Sequence, residues 1–497
     1  MLRNLIEINT EYNRKPASLA KLPFLIHKTG GELMARKVKQ RKIKLSPDVE
    51  LTTEVIQKLI EKHADEKARV EKMLDYYDGR NDIKDRVYKK QNRPTNRIAN
   101  PTASYLCNML VGYAFGKGIA YKSEDSELLE SITDILNYND VADLDQALAD
   151  NATISGYAYE MQYIDEDGIP RMCVVPTEEM IVVHDNTLQE NILYAIRYWE
   201  EEDLINDGET TLYAEVYTKD AIKYYQGSDG SLSFIEEVPH LYKDVPVTVY
   251  PMSNTWFGAF EKIKDNLDQY DQVKSDIANI MESNASKAIL VISGIAMEDD
   301  DDEEGDVGTE ALEADVINFT DPSSSASFLT KNIDTTAVEA YLDRLMNDIH
   351  TFSQIPPLDS EGFVASASGE SLKWKCLGLE ILASNFEAKF RKAIARRMEL
   401  LCRILSIKHN KEYDFTQIEA VFTRNTPANV TEMASIVKSL YGIVSDQTLL
   451  SLLPFIQDVQ KEMLQLEEGK TDKLDEAEYD FEDGNEIEPT VGDEDGE

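Results

Sequence analysis

Three groups of residues in this chain have types and spacing that chemistry uses. The first is Gly112, Gly116, Lys117 and Gly118. A phosphate-binding loop needs four residues between its glycines, and a hydroxyl after the lysine to hold Mg²⁺. Here three residues separate the glycines and Gly118 stands where the hydroxyl belongs, so no nucleotide site is expected. The second is the run 298–315, with eleven acids and no Lys or Arg. Within Asp299, Asp300, Asp301, Asp302, Glu303 and Glu304, the residues Asp300, Asp302 and Glu304, followed by Gly305, partly follow a calcium-loop spacing. The position that needs a bidentate Glu is Ala311. A solvated acidic loop is the expectation, with a weak divalent-cation site as the alternative. The third is the basic cluster Lys389, Arg391, Lys392, Arg396 and Arg397. It offers either a phosphate-contacting patch or salt bridges to acidic neighbours within an assembly; the chain's acidity favours the salt bridges.

Other reactive residue types are scattered. The histidines (His27, His63, His184, His240, His350, His409) never fall at metal-ligand spacing, and none flanks a nucleophile. His63 and His350 lie in helical patterns and read as packing residues. Cys107, Cys173, Cys376 and Cys402 are far apart and form no Cys-x-x-Cys, which points to reduced thiols. No catalytic constellation, cofactor site or metal site is expected, and the chain reads as a non-enzyme.

Net charge is −42. Residues 1–50 carry +6 and residues 461–497 carry −13, which leaves −35 on the middle. Affinity for bare duplex DNA comes mostly from Lys and Arg displacing counterions, so tight DNA binding is not expected. An acidic wall would instead suit DNA that must slide. The N-terminus has Glu7 and Glu11 where a signal peptide would be apolar, and residues 103–120 are too short and interrupted to span a bilayer. Synthesis in a cytoplasm and no membrane partner are the expectations.

The elements that must position these residues are legible from periodicity. Residues 1–50 read as a basic arm. A helix runs from Thr52 to near Gly79 on Val55, Ile56, Leu59, Ile60, Val70, Met73 and Leu74, and another starts at Pro101. From Ala158 to Tyr250 the period becomes strand-like: 159–163 and 171–175 form a hairpin, with further strands at 193–198, 212–217, 221–225 and 247–250. A helix at about 260–286 shows a thin apolar seam, its other faces polar and acidic as though facing water. A short strand at 288–295 precedes the acidic run, and a helix at 335–352 ends before Pro356 and Pro357. A small-residue loop then feeds a helix with Trp374, Leu377, Ile381, Phe390, Ile394, Met398, Leu401 and Leu405 on one face. Started at Ser371, that helix is about 50 Å long. A strand at 418–423, short helices over 430–467 and an acidic tail expected to be disordered complete the chain.

Several of these segments resemble bacteriophage portal proteins of the SPP1 type. The resemblance is carried in order by Tyr76-Tyr77-Asp78-Gly79, Asn96-Arg97-Ile98 and Gly112-Tyr113-Ala114-Phe115-Gly116-Lys117. It continues with Ala367-Ser368-Gly369-Glu370-Ser371-Leu372-Lys373-Trp374-Lys375, Gly378-Leu379-Glu380 and residues 443–449. It covers roughly residues 50–470 and implies an α+β portal fold assembling as a dodecameric ring. The implied parts are a mixed helix/sheet wing (51–255), stem helices (256–287 and 333–354) and a small clip with the acidic loop (288–332). A tunnel loop (355–369), a long kinked helix returning to the wing (370–425), a helical crown (426–469) and the tail (470–497) follow. Pro356, Pro357, Leu358, Asp359, Ser360, Glu361, Gly362, Phe363, Val364, Ser366 and Ser368 would face the channel, and Asp299–Glu304 would dock partners at the clip. The resemblance implies a DNA conduit at one capsid vertex of a tailed phage. Its partners would be double-stranded DNA without sequence preference, terminase, the head–tail connector or adaptor, and capsid or scaffold protein. The competing classes are a packaging motor ATPase or nuclease, and a connector or scaffold without a channel.

Overall fold

The computed structural model of the protein describes residues 42–88, 94–202, 210–228, 231–286, 289–293, 325–329, 334–358, 373–425 and 430–453, with scattered positions to 466. The described residues belong to one unit, Lys42–Glu497.

Helix α1 (Thr53–Tyr77) starts where the Thr52 side chain accepts a hydrogen bond from the Val55 amide. Its buried residues follow helical spacing, but they enter three different cores. Ile56 and Leu59 pack on one face of a large sheet, Val70 reaches the core on that sheet's other face, and Met73 and Tyr76 join a helical core. At about 1.5 Å per residue α1 is long enough to join all three.

The large sheet has six strands in the order β1-β5-β6-β7-β8-β9. These are β1 (Ile43–Lys44), β5 (Met180–His184), β6 (Ile192–Glu202), β7 (Thr210–Tyr217), β8 (Ala221–Ser228) and β9 (Ser231–Pro239). β1 pairs with β5 in parallel and every other pair is antiparallel. In β5, Ile181 and Val183 point to the α1 side while Met180 and Val182 point to the other. Both faces are therefore covered, and Met180–Val183 are apolar in succession instead of alternating. The basic arm expected over 1–50 ends earlier than that: Ile43 and Lys44 form an edge of this sheet, and Lys42 and Lys44 pair with Glu190 at 2.6 and 2.5 Å.

A second sheet, β10-β3-β4, contains the expected hairpin: β3 (Tyr157–Ile164) and β4 (Pro170–Val175), with β10 (Val247–Pro251) on the far side of β3. Helices α3 (Ser126–Tyr138) and α4 (Val141–Ser155) precede it. Gly156 links α4 to β3 at φ +94, and a Cβ there would lie 2.2 Å from the Trp256 carbonyl oxygen, so only glycine fits. Two small pairings complete the sheets: β2 (Ala120–Lys122) with β13 (Glu419–Val421), and β11 (Ile289–Ser293) with β12 (Ser325–Leu329).

The main helical core gathers α2 (Thr102–Phe115), α3, α4, the start of α5 (Lys264–Ser286), the end of α6 (Thr335–Ser353) and most of α7 (Leu377–His409). Phe115, Phe386, Phe390, Phe422 and Tyr250 meet there with ring centroids 4.6–6.4 Å apart. Helices α8 (Val430–Leu440) and α9 (Asp446–Ser451) follow, the latter capped by Ser445. Gly112 and Gly116 lie within and at the end of α2, so the near-match to a phosphate loop is a helix C-terminus.

Candidate channel elements and the clamp that orients them

The acidic flank of α5 does not face water as expected from its sequence. An extended stretch of chain lies along it, and its backbone amides donate to α5 side chains. Asn96 N meets Asn279 Oδ1 at 2.6 Å, Ile98 N meets Ser275 Oγ at 2.9 Å, and Asn100 N meets Asp271 Oδ1 at 3.0 Å. Two extended residues advance about 6.6 Å and four helical residues about 6.0 Å, so alternate amides match successive turns. Asp271 also accepts from Asn81 Nδ2 at 2.5 Å and from Asn100 Nδ2 at 2.6 Å. Burial raises the Asp271 carboxyl above its ordinary range, against the pull of those donors. Asp276 pairs with Arg86, and Asp268 accepts from Tyr76 and Lys264. Burial raises Asp82 too, but hydrogen bonds from Lys264 and Lys72 outweigh it and bring the group down to about 2. Asp82 thus stays ionised as an anchor where α1 turns towards α2.

Helix α6 stops before the prolines. Gln354 adopts a left-handed conformation at φ +63, and Ile355 turns into the core with no exposed surface. The Ile355 carbonyl lies 2.8 Å from His350 Nδ1, and its amide donates to Ser353 Oγ at 3.3 Å. Pro356, Pro357 and Leu358 follow, half-buried. The expected loop therefore begins from a fixed root. Asp359, Ser360, Glu361, Gly362, Phe363, Val364, Ser366 and Ser368 lie outside the described residues, as do Asp299, Asp300, Asp301, Asp302, Glu303 and Glu304.

The long helix is broken near its start: residues 373–375 are helical, Cys376 is a turn, and α7 runs from Leu377. Gly378 lies against Gln354, where an added Cβ would meet its carbonyl oxygen at 3.2 Å. The buried stripe is Leu379, Ala383, Phe386, Phe390, Ile394, Met398, Leu401 and Leu405. Trp374, Leu377 and Ile381, expected on the same face, are outside it; Trp374 is 71% exposed. They form an apolar group of their own, and on α6 Tyr341 and Phe352 (61% exposed) are singly exposed.

Arg397 fixes the middle of α7. It is completely buried, with Nε 2.7 Å and Nη2 2.6 Å from Glu160 Oε2 on β3, and Nη2 2.6 Å from Asp145 Oδ1 on α4. The Nε contact is an aligned hydrogen bond, whereas the Nη2 contacts are close charge contacts off the N–H direction. Tyr250 OH on β10 donates to Glu160 at 2.7 Å, and Gln162 Nε2 donates to Glu160 Oε1 at 3.2 Å and to the Arg397 carbonyl at 3.3 Å. Burial raises the Asp145 carboxyl, opposed by Arg397, and the net is upward. Two carboxylates sharing one guanidinium thus hold α7 to α4, β3 and β10.

The other arginines of the basic cluster, Arg391 and Arg396, form ion pairs with acids of the same chain. Arg391 bonds Glu387 and the Ala420 carbonyl; Arg396 bonds Asp244 at 3.0 Å and Glu399 at 2.8 Å. Arg424 contributes further, pairing Glu380 at 3.0 Å and Glu387 at 2.8 Å. Glu387 and Glu399 lie one helical turn from Arg391 and Arg396, a spacing visible in the sequence, whereas Asp244 and the partners of Arg424 are distant and no spacing announced them.

Buried Cys107 and Cys402 are pushed up to about 12 by burial and are poor nucleophiles. His63 is buried as expected, 2.9 Å from Tyr198 OH, and His350 braces the end of α6. Among the described residues, no three His, Cys, Asp or Glu side chains are grouped to hold a metal, and no helix is long and apolar enough to cross a membrane.

Long helices are thus clamped to a sheet-bearing body, with exposed apolar residues beside a rooted loop. Residues 56–475 match the family described as Phage portal protein, SPP1 Gp6-like, and the chain belongs to that family. It is 25% identical over 445 residues to the portal protein of Bacillus phage SPP1, covering 84% of this chain and 86% of that one. It is 26% identical over 441 residues to the portal protein of Clostridium phage phiCD119, covering 84% and 96%. The family is structural, and membership gives this chain the role of a portal protein of a tailed phage.

Proposed function

We propose that the protein assembles as a dodecameric ring at one capsid vertex, through which double-stranded DNA enters and leaves. The ring would also be the docking platform for terminase, the head–tail connector and capsid or scaffold protein. The observation that carries this reading is the exposed stripe Trp374, Leu377 and Ile381 at the start of α7. Three large apolar residues at helical spacing, outside the chain's own core, suit burial against a neighbouring copy. A Trp374→Ser, Leu377→Ser, Ile381→Ser variant is expected to stay folded and monomeric where the natural protein forms rings. Rings of normal size and yield from that variant overturn the assignment of this stripe.

Within that ring, residues 51–255 and the return at 370–425 would form the wing and its long helix, α5 and α6 the stem, 288–332 the clip and 426–469 the crown. Residues 356–368, rooted at Ile355, would project into the bore as the tunnel loop. The small residues among them (Gly362, Ala365, Ser366, Ala367, Ser368), in a strongly acidic chain, suit guiding DNA without holding it. Deleting residues 360–366 is expected to leave rings intact and impair packaging; normal packaging by that variant contradicts the role. The acids Asp299–Glu304 would serve docking at the clip, and neutralising them is expected to weaken terminase or connector binding.

A further inference from the structure

The six-stranded sheet ends on β9, and among the described residues no strand pairs with its outer edge. An edge strand presents unpaired backbone N–H and C=O groups, which proteins blunt with short length, charged side chains, bulges or proline. β9 is nine residues long and has its only proline at its last position, Pro239. A bulge makes Ile235 an extra residue between the Tyr225–Phe234 and Tyr224–Glu236 pairs. Phe234, Ile235 and Val238 are 53, 51 and 42% exposed, and Leu241 just beyond is equally open. The strand is nonetheless held firmly from beneath. Leu232 is buried beside Ile56 and Leu59 of α1, and Phe234 packs edge-to-face on Tyr225 at 5.7 Å.

Residues 234–238 therefore combine an open backbone edge, three apolar side chains and two acids, Glu236 and Glu237. A second β9 is a poor occupant, because antiparallel self-pairing brings these carboxylates near their twins in a chain already at −42. A strand in which Lys or Arg alternates with apolar residues satisfies the backbone, the apolar contacts and the charge together. A portal remains in its shell after assembly, and strand addition through backbone hydrogen bonds suits a lasting contact. We propose that residues 234–238 accept a basic, apolar strand of the capsid shell protein by β-strand addition. This rests on the portal reading.

The test uses the full-length protein, with the phage's purified shell and scaffold proteins as probes in shell assembly. Glu236→Lys with Glu237→Lys is expected to form normal rings but to enter shells at least tenfold less often. Glu201→Lys with Glu202→Lys, also exposed but off this edge, is the control and is expected to enter normally. Hydrogen exchange on the unmodified protein gives a readout free of folding defects. The 234–238 amides are expected to exchange at least a hundredfold more slowly in shells than in isolated rings, and to be unaffected by scaffold alone. Unchanged exchange, normal entry of the charge-reversed variant, protection by scaffold alone, or loss of rings on charge reversal each overturns the proposal. If the unmodified protein forms no rings and enters no shells, the portal reading itself fails.

Discussion

Replacing Arg397 by Met removes the only cation from the buried clamp and leaves Glu160 and Asp145 facing each other without it. The side chain is fully buried and touches both acids at 2.6 Å, so solvent cannot take over its role. Removing one member of such a pair typically costs about 3–5 kcal/mol, most of it the stranded charge. The loss has a definite pH dependence. Asp145, already raised by burial against the pull of Arg397, loses that pull in the variant and is raised further above its unfolded value. Stability from such groups is fully present below the unfolded pKa, near 4, and lost as pH rises through the folded one. The variant's deficit relative to the natural protein should therefore be largest at pH 8 and shrink towards pH 4. Because a protein of this size need not unfold in one step, hydrogen exchange of the central α7 amides is the sharper assay. An exchange rate equal to that of the natural protein at pH 8, or a deficit that grows in acid, refutes the argument. The triple change Arg397→Met, Glu160→Gln, Asp145→Asn should recover part of the loss.

Three further outcomes follow from the geometry. Burial lowers His63 and His184 to about 4, so each contributes stability present above 6.5 and lost as pH falls towards 4. The free energy of unfolding should drop across that window by an amount on the order of 3 kcal/mol for His63, and His63→Gln should flatten the drop. Gly156→Ala forces a Cβ onto the Trp256 carbonyl at a left-handed position. It should cost about 3 kcal/mol or more, read as a fall in melting temperature. Asp271→Ala strips the acceptor from Asn81 and Asn100, and the amides of Ile98 and Asn100 should exchange faster while those of the six-stranded sheet do not change.

Elements with one covered face were legible in the sequence. α1, α2, α5, α6 and the β3–β4 hairpin all show the period that their burial requires, and the portal resemblance rested on segments spread through them. β5 was not foreseen, because Met180–Val183 is buried on both sides and carries no alternation. α4 was missed for a related reason: its inner face includes Asp145 and small alanines, which dilute the apolar pattern. α3 was within reach, since Asp125 caps a helix whose Leu128, Ile132, Ile135 and Leu136 have helical spacing. At the start of α7 periodicity misled, because Trp374, Leu377 and Ile381 share a period with the core stripe but face outward. Arg397 looked like one of five similar residues. Its partner Glu160 is 237 positions away, and only the fold brings them together.

The central claim is that this chain builds a ring around a DNA channel. Electron microscopy of the purified full-length protein tests it most directly. Rings with a central hole wide enough to admit duplex DNA are the expected result. Compact monomers that hydrolyse ATP would contradict it.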